Sequence, residues 1–259
     1  WVSSFLKREE AEDIRGMLHD NALPFTTGSQ IVSALMLGLQ EAFDREKILL
    51  LFDAASHPNE EVKVRALISI LITLYTYRKR TQLYPQIADR LAALAETPGF
   101  IKTIRTIILR FILARETEKI TRKLQDEIIP EMLKLSPKLS KKINLNELTP
   151  EDLTGNEMNP EWESFFSDST LGKKMVEFGE LQQEGADVMH STFVHLKNFP
   201  FFHELSNWLL PFTIEHSYFD DQFTPDNEAE KQMLDSMTFA AFMCNSDKYS
   251  LYFSMMQLP

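Results

Sequence analysis

The sequence predicts an all-α protein in which stacked helical hairpins form an α–α superhelix, or solenoid, followed by a C-terminal helical unit. Three observations favour this fold class. Capping residues recur ahead of amphipathic segments. The helices expected between residues 29 and 135 form short pairs joined by tight turns. Only 8 of the 259 residues are glycine, and no β-branched run leads into a glycine-rich turn, which argues against a doubly wound nucleotide-binding fold.

The helix starts are marked by side chains that can accept hydrogen bonds from N–H groups of the first turn. Asn59 precedes Glu60 and Glu61, and Thr149 precedes Pro150 and two acids. Proline fits the first turn of a helix, and acids there stabilise the positive end of the helix dipole. Helices are predicted over residues 4–19, 29–43, 45–56, 59–77, 82–96, 99–115, 118–135, 169–183, 186–197, 200–210, 226–243 and 247–257.

The chain also resembles itself at a shift of 40 residues, which places His57-Pro58 on Thr97-Pro98. The segment from His57 to Leu67 resembles the inter-helix turn and second-helix start of a HEAT repeat, in which a short polar turn leads into Val-Arg and Ala. This resemblance covers residues 22–135. It implies that each helix pair buries its apolar faces by stacking on its neighbours. A tetratricopeptide array is the nearest rival, but its period of about 34 residues and its signature are absent from this stretch.

Two polar stripes supply the candidate binding residues. Apolar side chains wrap most of the predicted helix 59–77 and leave one polar line along it. The predicted helix 99–115 carries a comparable polar line. In a solenoid such lines face the concave groove that binds ligands. The turns align at a shift of 40 residues and the stripes at 37, which a small insertion would reconcile. We expect a groove that binds a protein or peptide and is lined by Arg65, Ser69, Thr73, Lys102, Thr106 and Arg110.

The sequence divides into three regions of different charge and composition. Residues 1–142 are predicted to form the HEAT-like region, 143–170 a polar linker, and 171–259 an acidic helical unit that we expect to be truncated at its C-terminal end. Residues 60–142 carry 17 basic and 9 acidic residues, whereas residues 143–259 carry 5 and 20. The basic middle could attract an acidic partner or nucleic-acid phosphates, unless the acidic part neutralises it within the chain.

An aromatic stretch over residues 199–212 is bracketed by Pro200 and Pro211. It is similar to segments of large uncharacterised bacterial helical-repeat proteins, some of which carry tetratricopeptide repeats, and this resemblance implies no activity. Its rings are expected to fill a core, with a peptide-binding pocket as the alternative.

The most economical function is a non-catalytic protein- or peptide-binding scaffold. No catalytic motif, cofactor-binding loop or membrane span is found in the sequence, and no cofactor or metal is expected. The alternative is a nucleic-acid-binding protein that uses residues 60–142. A third possibility is a metal-dependent enzyme built on residues 190–221, where four histidines and several carboxylates occur at spacings that suit a metal poorly. With an acidic net charge of −11, we expect a cytoplasmic protein.

Overall fold

The structure is a computed structural model that describes residues 5–20, 22–115, 197–213 and 243–256, with isolated residues between 117 and 126 and between 232 and 240. The chain divides into two compact units, Trp1–Ile108 with Leu196–Pro259, and Leu109–His195. Most of the second unit, the predicted linker 143–170 and the predicted helices 118–135, 169–183 and 186–197 lie outside the described residues.

Throughout the described ranges the regular structure is helical, in agreement with the predicted all-α class. Two single-turn helices and one 3-10 turn accompany seven longer helices. Their bounds in chain order are α1 Arg8–His19, α2 Phe25–Glu41, α3 Arg45–Ala54, α4 Glu60–Thr76, α5 Arg78–Thr81, α6 Pro85–Ala95, α7 Phe100–Ala114, the 3-10 turn Pro200–His203, α8 Leu205–Trp208 and α9 Asn245–Met256.

One predicted capping residue begins a helix within the described ranges. Asn59 accepts hydrogen bonds from the N–H groups of Glu61 and Val62 and so begins α4, as predicted. Helix α2 begins at Phe25, four residues earlier than predicted, because Pro24 provides the extended residue that precedes it. The single helix predicted over 200–210 is wrong in detail, since a 3-10 turn and one helical turn meet at an extended residue, Glu204.

Helices α1, α3 and α6 share one layer, which is held together by the buried carboxylate of Asp53. Arg15 of α1 donates from Nε to Asp53 Oδ2 at 2.7 Å, and Arg90 of α6 lies 3.1 Å from Oδ1. The backbone N–H of Leu6 donates to Asp44 Oδ2 at 2.7 Å, at the same 38-residue separation as Arg15 from Asp53. Because both bonds join residues at a constant separation, α1 and α3 run in the same direction.

Helices α2 and α4 pack on each other and also run in the same direction. Ser33 accepts a hydrogen bond from Arg65 Nη1 at 2.8 Å, and Tyr77 donates its hydroxyl to the Leu39 carbonyl at 2.7 Å. Helix α3 contacts both of them, and the buried side chains between these helices form one apolar core that continues to Ile107 of α7. At the turn before α7, Gly99 adopts a φ of 81°, which only glycine accommodates without strain.

The C-terminal residues form a second, aromatic core around α9. Phe201, Tyr249 and Phe253 are almost fully buried, and their ring centroids lie 4.7 to 6.4 Å apart. Two of these pairs are tilted and the Tyr249–Phe253 pair is stacked, and inclined or offset-stacked rings at such distances are favoured for aromatic pairs. The prediction that the aromatic stretch fills a core is confirmed, although Trp208 is 41% exposed.

Tyr249 fixes the chain that follows α8. Its hydroxyl donates to the Pro211 carbonyl at 2.8 Å and accepts from the Thr213 N–H at 3.0 Å. Burial raises the pKa of Tyr249 well above its ordinary value, because the tyrosinate would be poorly solvated in this apolar cluster.

We predict that Asp53→Ala lowers the free energy of unfolding by about 1–3 kcal/mol, because two guanidinium groups lose the buried carboxylate that they share. Because the Arg90 side chain is half exposed to solvent, this loss of unfolding free energy is smaller than for a fully buried ion pair. The measurement is urea denaturation. Glu12→Ala, which removes the exposed partner of Arg15, is the control and is expected to leave the midpoint unchanged. Equal midpoints for Asp53→Ala and the parent would contradict this role of Asp53.

We predict that Tyr249→Phe destabilises the protein by about 1–2 kcal/mol at pH 8, because a buried carbonyl and an N–H lose their partner. Since folding raises this pKa, the contribution of Tyr249 is fully present below about pH 10 and is lost as pH rises further. The difference in melting temperature between parent and variant should therefore shrink at pH 11. Tyr75→Phe, at a 73% exposed position, is the control; a pH-independent difference for Tyr249→Phe would be inconsistent with this prediction.

Candidate functional site

Arg65, the first residue of the predicted groove, makes contacts within its own chain. Its Nη1 donates to Ser33 Oγ at 2.8 Å and to the carbonyl of Leu209, and its Nη2 pairs with Glu61 at 2.7 Å. Asn245, at the start of α9, donates to the same Glu61 carboxylate at 3.3 Å. The C-terminal residues therefore lie against the N-terminal half of α4, and the cation of Arg65 stabilises that contact.

Ser69 and Thr73 are completely buried, so they do not line an open groove in this structure. The stripe Val62, Ser69, Thr73 and Tyr77 follows one side of α4, and both ends of that stripe contact α2 through Gly28 and Leu39. The small side chains of Ser69 and Thr73 in the middle of this stripe let α2 and α4 approach closely. Ser69 bonds to the Arg65 carbonyl within its own helix. The sequence pattern could not separate this packing role from a binding role.

The other three predicted residues lie on α7 and are exposed: Lys102, Thr106 and Arg110. Thr106 donates its hydroxyl to the Lys102 backbone carbonyl, one turn earlier in the same helix, at 3.0 Å. The six predicted residues thus fall into a covered set on α4 and an exposed set on α7. Their binding of a partner stays a prediction.

The most conspicuous exposed apolar surface is also on α7, but on a different side of the helix from these three residues. Ile101, Ile108 and Ile112 are 61%, 43% and 57% exposed, although each is a large aliphatic side chain. The opposite side of the helix contributes Ile107 to the core, together with the partly buried Phe100. Residues 100–114 include three cations and no acid. We call this exposed side, from Ile101 to Ile112, the α7 face.

Sequence reasoning missed the α7 face because the helix is apolar on nearly all sides. The pattern predicts a helix with neighbours on several sides, but it does not say which side is left uncovered. The one available signal was the combination of aliphatic residues with cations and no acid over residues 100–114, which is unusual for a core helix.

A second exposed group lies around α5. Arg78, Lys79 and Arg80 are exposed, and the guanidinium of Arg78 lies 5.5 Å from the centroid of the exposed Tyr75 ring. Arg80 instead stacks at 4.4 Å on the buried ring of Phe43, which holds it to the protein.

The histidines and the single cysteine are the residues that could bind a metal or act as a nucleophile. Within the described ranges no three histidine, cysteine or acidic residues are grouped as a metal site would require, and His203 is exposed; the candidate ligands His190, His195 and His216 lie outside them. Cys244 is exposed rather than buried, and its sulfur lies 3.3 Å from Ser246 Oγ. Desolvation of the sulfur raises the pKa of this thiol, which disfavours the reactive thiolate.

Comparison with family models, curated proteins and solved structures finds no match to this chain. Among the described helices, none is long and apolar enough to span a lipid bilayer.

We predict that Arg65→Ala loosens the C-terminal residues from α4, because the Leu209 carbonyl and the Glu61 carboxylate both lose their cation. The expected cost is about 1–3 kcal/mol of unfolding free energy. Hydrogen exchange should show faster exchange for residues 209–213 and for the start of α9. Lys63→Ala is the matched control, since Lys63 lies on the same helix and pairs only with the exposed Glu60 among the contacts described here. Unaltered exchange in Arg65→Ala would show that Arg65 does not secure this contact.

Proposed function

We propose that the protein is a non-catalytic scaffold that binds another protein or a peptide, and that the α7 face is the surface that it uses. The observation that carries this proposal is the exposure of three isoleucines on one side of α7, which packs on the core through Ile104 and Ile107 on another side. Contiguous exposed apolar surface is costly in water and is typical of a protein-interaction site. Lys102 and Arg110 lie on other sides of α7, about 100° and 180° around the helix from Ile101, so selectivity at this surface depends on Arg105, which lies between Ile101 and Ile108.

Stacked hairpins are a suitable framework for this role. The contacts of Asp53 tie three helices of one layer at separations of 38 and 37 residues, as expected of a repeating hairpin unit. A HEAT-like solenoid is our proposal for the larger architecture. In such arrays each pair of helices contacts only its neighbours.

Nucleic-acid binding is the second candidate, and the cations around α5 favour it. Arg78 and Lys79 are exposed, and the Arg78 guanidinium lies 5.5 Å from the centroid of the exposed Tyr75 ring, which could stack on a base while the cations contact phosphates. This function would make affinity fall steeply with salt, by about 0.9 logarithmic units per phosphate contact and tenfold change in salt.

The test is affinity capture from a lysate of the native source with three proteins: the parent, Ile101→Asp with Ile112→Asp, and Met17→Asp. Met17 is 47% exposed on α1 and serves as a control for adding charge to an exposed apolar position. We expect a protein partner that is retained by the parent and by Met17→Asp and is lost from the α7 variant. The same partner on all three proteins would exclude the α7 face.

Nucleic acid is tested in parallel by fluorescence anisotropy with a random DNA duplex at increasing salt. The scaffold proposal predicts no measurable affinity at physiological salt. If a duplex binds and Arg78→Glu with Lys79→Glu lowers both the affinity and the salt slope, the second candidate replaces the first.

A further inference from the structure

The α7 face has a regular spacing that specifies what can pack on it. Ile101, Arg105, Ile108, Ile112 and Arg115 follow one another at intervals of 4, 3, 4 and 3 residues. At about 100° per residue the four of these side chains that belong to α7 lie within roughly 40° of one line along the helix, and Arg115 follows in the turn after its last residue. All five are exposed. Alternating intervals of three and four are the pattern with which one helix packs along another.

This line is separate from the packed side of α7. Phe100, Ile104 and Ile107, which pack on the core, point about 100° away from Ile101 on average. Changes along the exposed line therefore alter recognition without removing core contacts. The same line is also separate from the contact between α4 and the C-terminal residues, which is made through Arg65 and Glu61.

The charge of the line determines the chemistry of its occupant. Two of its five positions are arginine, and residues 100–115 contain no acid. A helix packed here would place its own side chains against Arg105 and Arg115. Apolar side chains at those positions would desolvate the two guanidinium groups without pairing them, and lysine would repel them. Carboxylates at those positions would pair with both arginines in bidentate geometry.

We propose that the α7 face binds an amphipathic helix of a partner protein that carries an apolar 3–4 seam interrupted by Glu or Asp opposite Arg105 and Arg115. This proposal rests on the proposed scaffold function and adds the chemistry of the partner. The isoleucines provide most of the affinity, through burial of apolar area, and the two arginines select acidic over basic helices.

The experiment uses the full chain and two labelled probe peptides of three heptads with leucine seams. In one peptide Glu replaces leucine at the two seam positions that would face Arg105 and Arg115, and its twin carries Lys there. Fluorescence anisotropy at low salt is expected to show about tenfold tighter binding of the Glu peptide, the effect of two exposed charge pairs of up to about 1 kcal/mol each.

Charge reversal provides the decisive comparison. Arg105→Glu with Arg115→Glu should reverse the preference, so that the Lys peptide binds more tightly. Arg78→Glu with Lys79→Glu makes the same change in net charge at α5 and should keep the preference of the parent. Ile101→Asp with Ile108→Asp should abolish binding of both peptides, with circular dichroism confirming that the helices remain.

Other outcomes overturn the proposal. Equal binding of the two peptides, or a preference that survives reversal at Arg105 and Arg115, would show that these arginines do not select the partner. Dimerisation of the parent that Ile101→Asp abolishes would assign the face to a second copy of the chain. Binding to phosphatidylserine vesicles that depends on the isoleucines would assign it to a membrane surface. If a partner is captured through α7 while the peptides show no preference, the scaffold function stands and only the acidic-helix chemistry fails.

Discussion

One nearly buried carboxylate sets the relation between the N-terminal helices. Asp53 lies on α3 and contacts Arg15 of α1 and Arg90 of α6, so a shift of α3 along its axis would separate this carboxylate from both guanidinium groups, and a shift of α1 or α6 would separate it from one of them. Apolar packing is not directional and tolerates such shifts more readily. The hydrogen bonds to Asp53 therefore specify the register that the surrounding core stabilises.

This register decides which surfaces remain available for binding. With α2 and α4 packed closely along a stripe of small residues, Ser69 and Thr73 are enclosed, and the C-terminal residues bind Arg65 through the Leu209 carbonyl. Among the described residues, an exposed apolar surface lies on α7, where Arg105 lies between isoleucines. A helix with no acid and with cations among aliphatic residues is suited to a partner that supplies both apolar area and negative charge.

Much of the helical structure followed from local chemistry. Asn59 and Asp44 start α4 and α3 because their side chains satisfy first-turn N–H groups, and such signals are local in sequence. The candidate site could be anticipated less well. A serine or threonine within an apolar helix is equally compatible with a groove and with a close helix contact, because both need a small polar side chain. Only the position of the neighbouring helix distinguishes the two.

The sequence by itself determined the all-α class, the positions of most described helices and the aromatic core around α9, because these depend on capping, periodicity and composition. The tertiary structure decided that Arg65 bonds to the chain's own C-terminal residues, 144 positions away, and that the isoleucines of α7 are exposed. Both facts depend on contacts between residues distant in sequence. An apolar helix carries the same pattern whether two of its sides are covered or three, so its pattern does not reveal which side meets water.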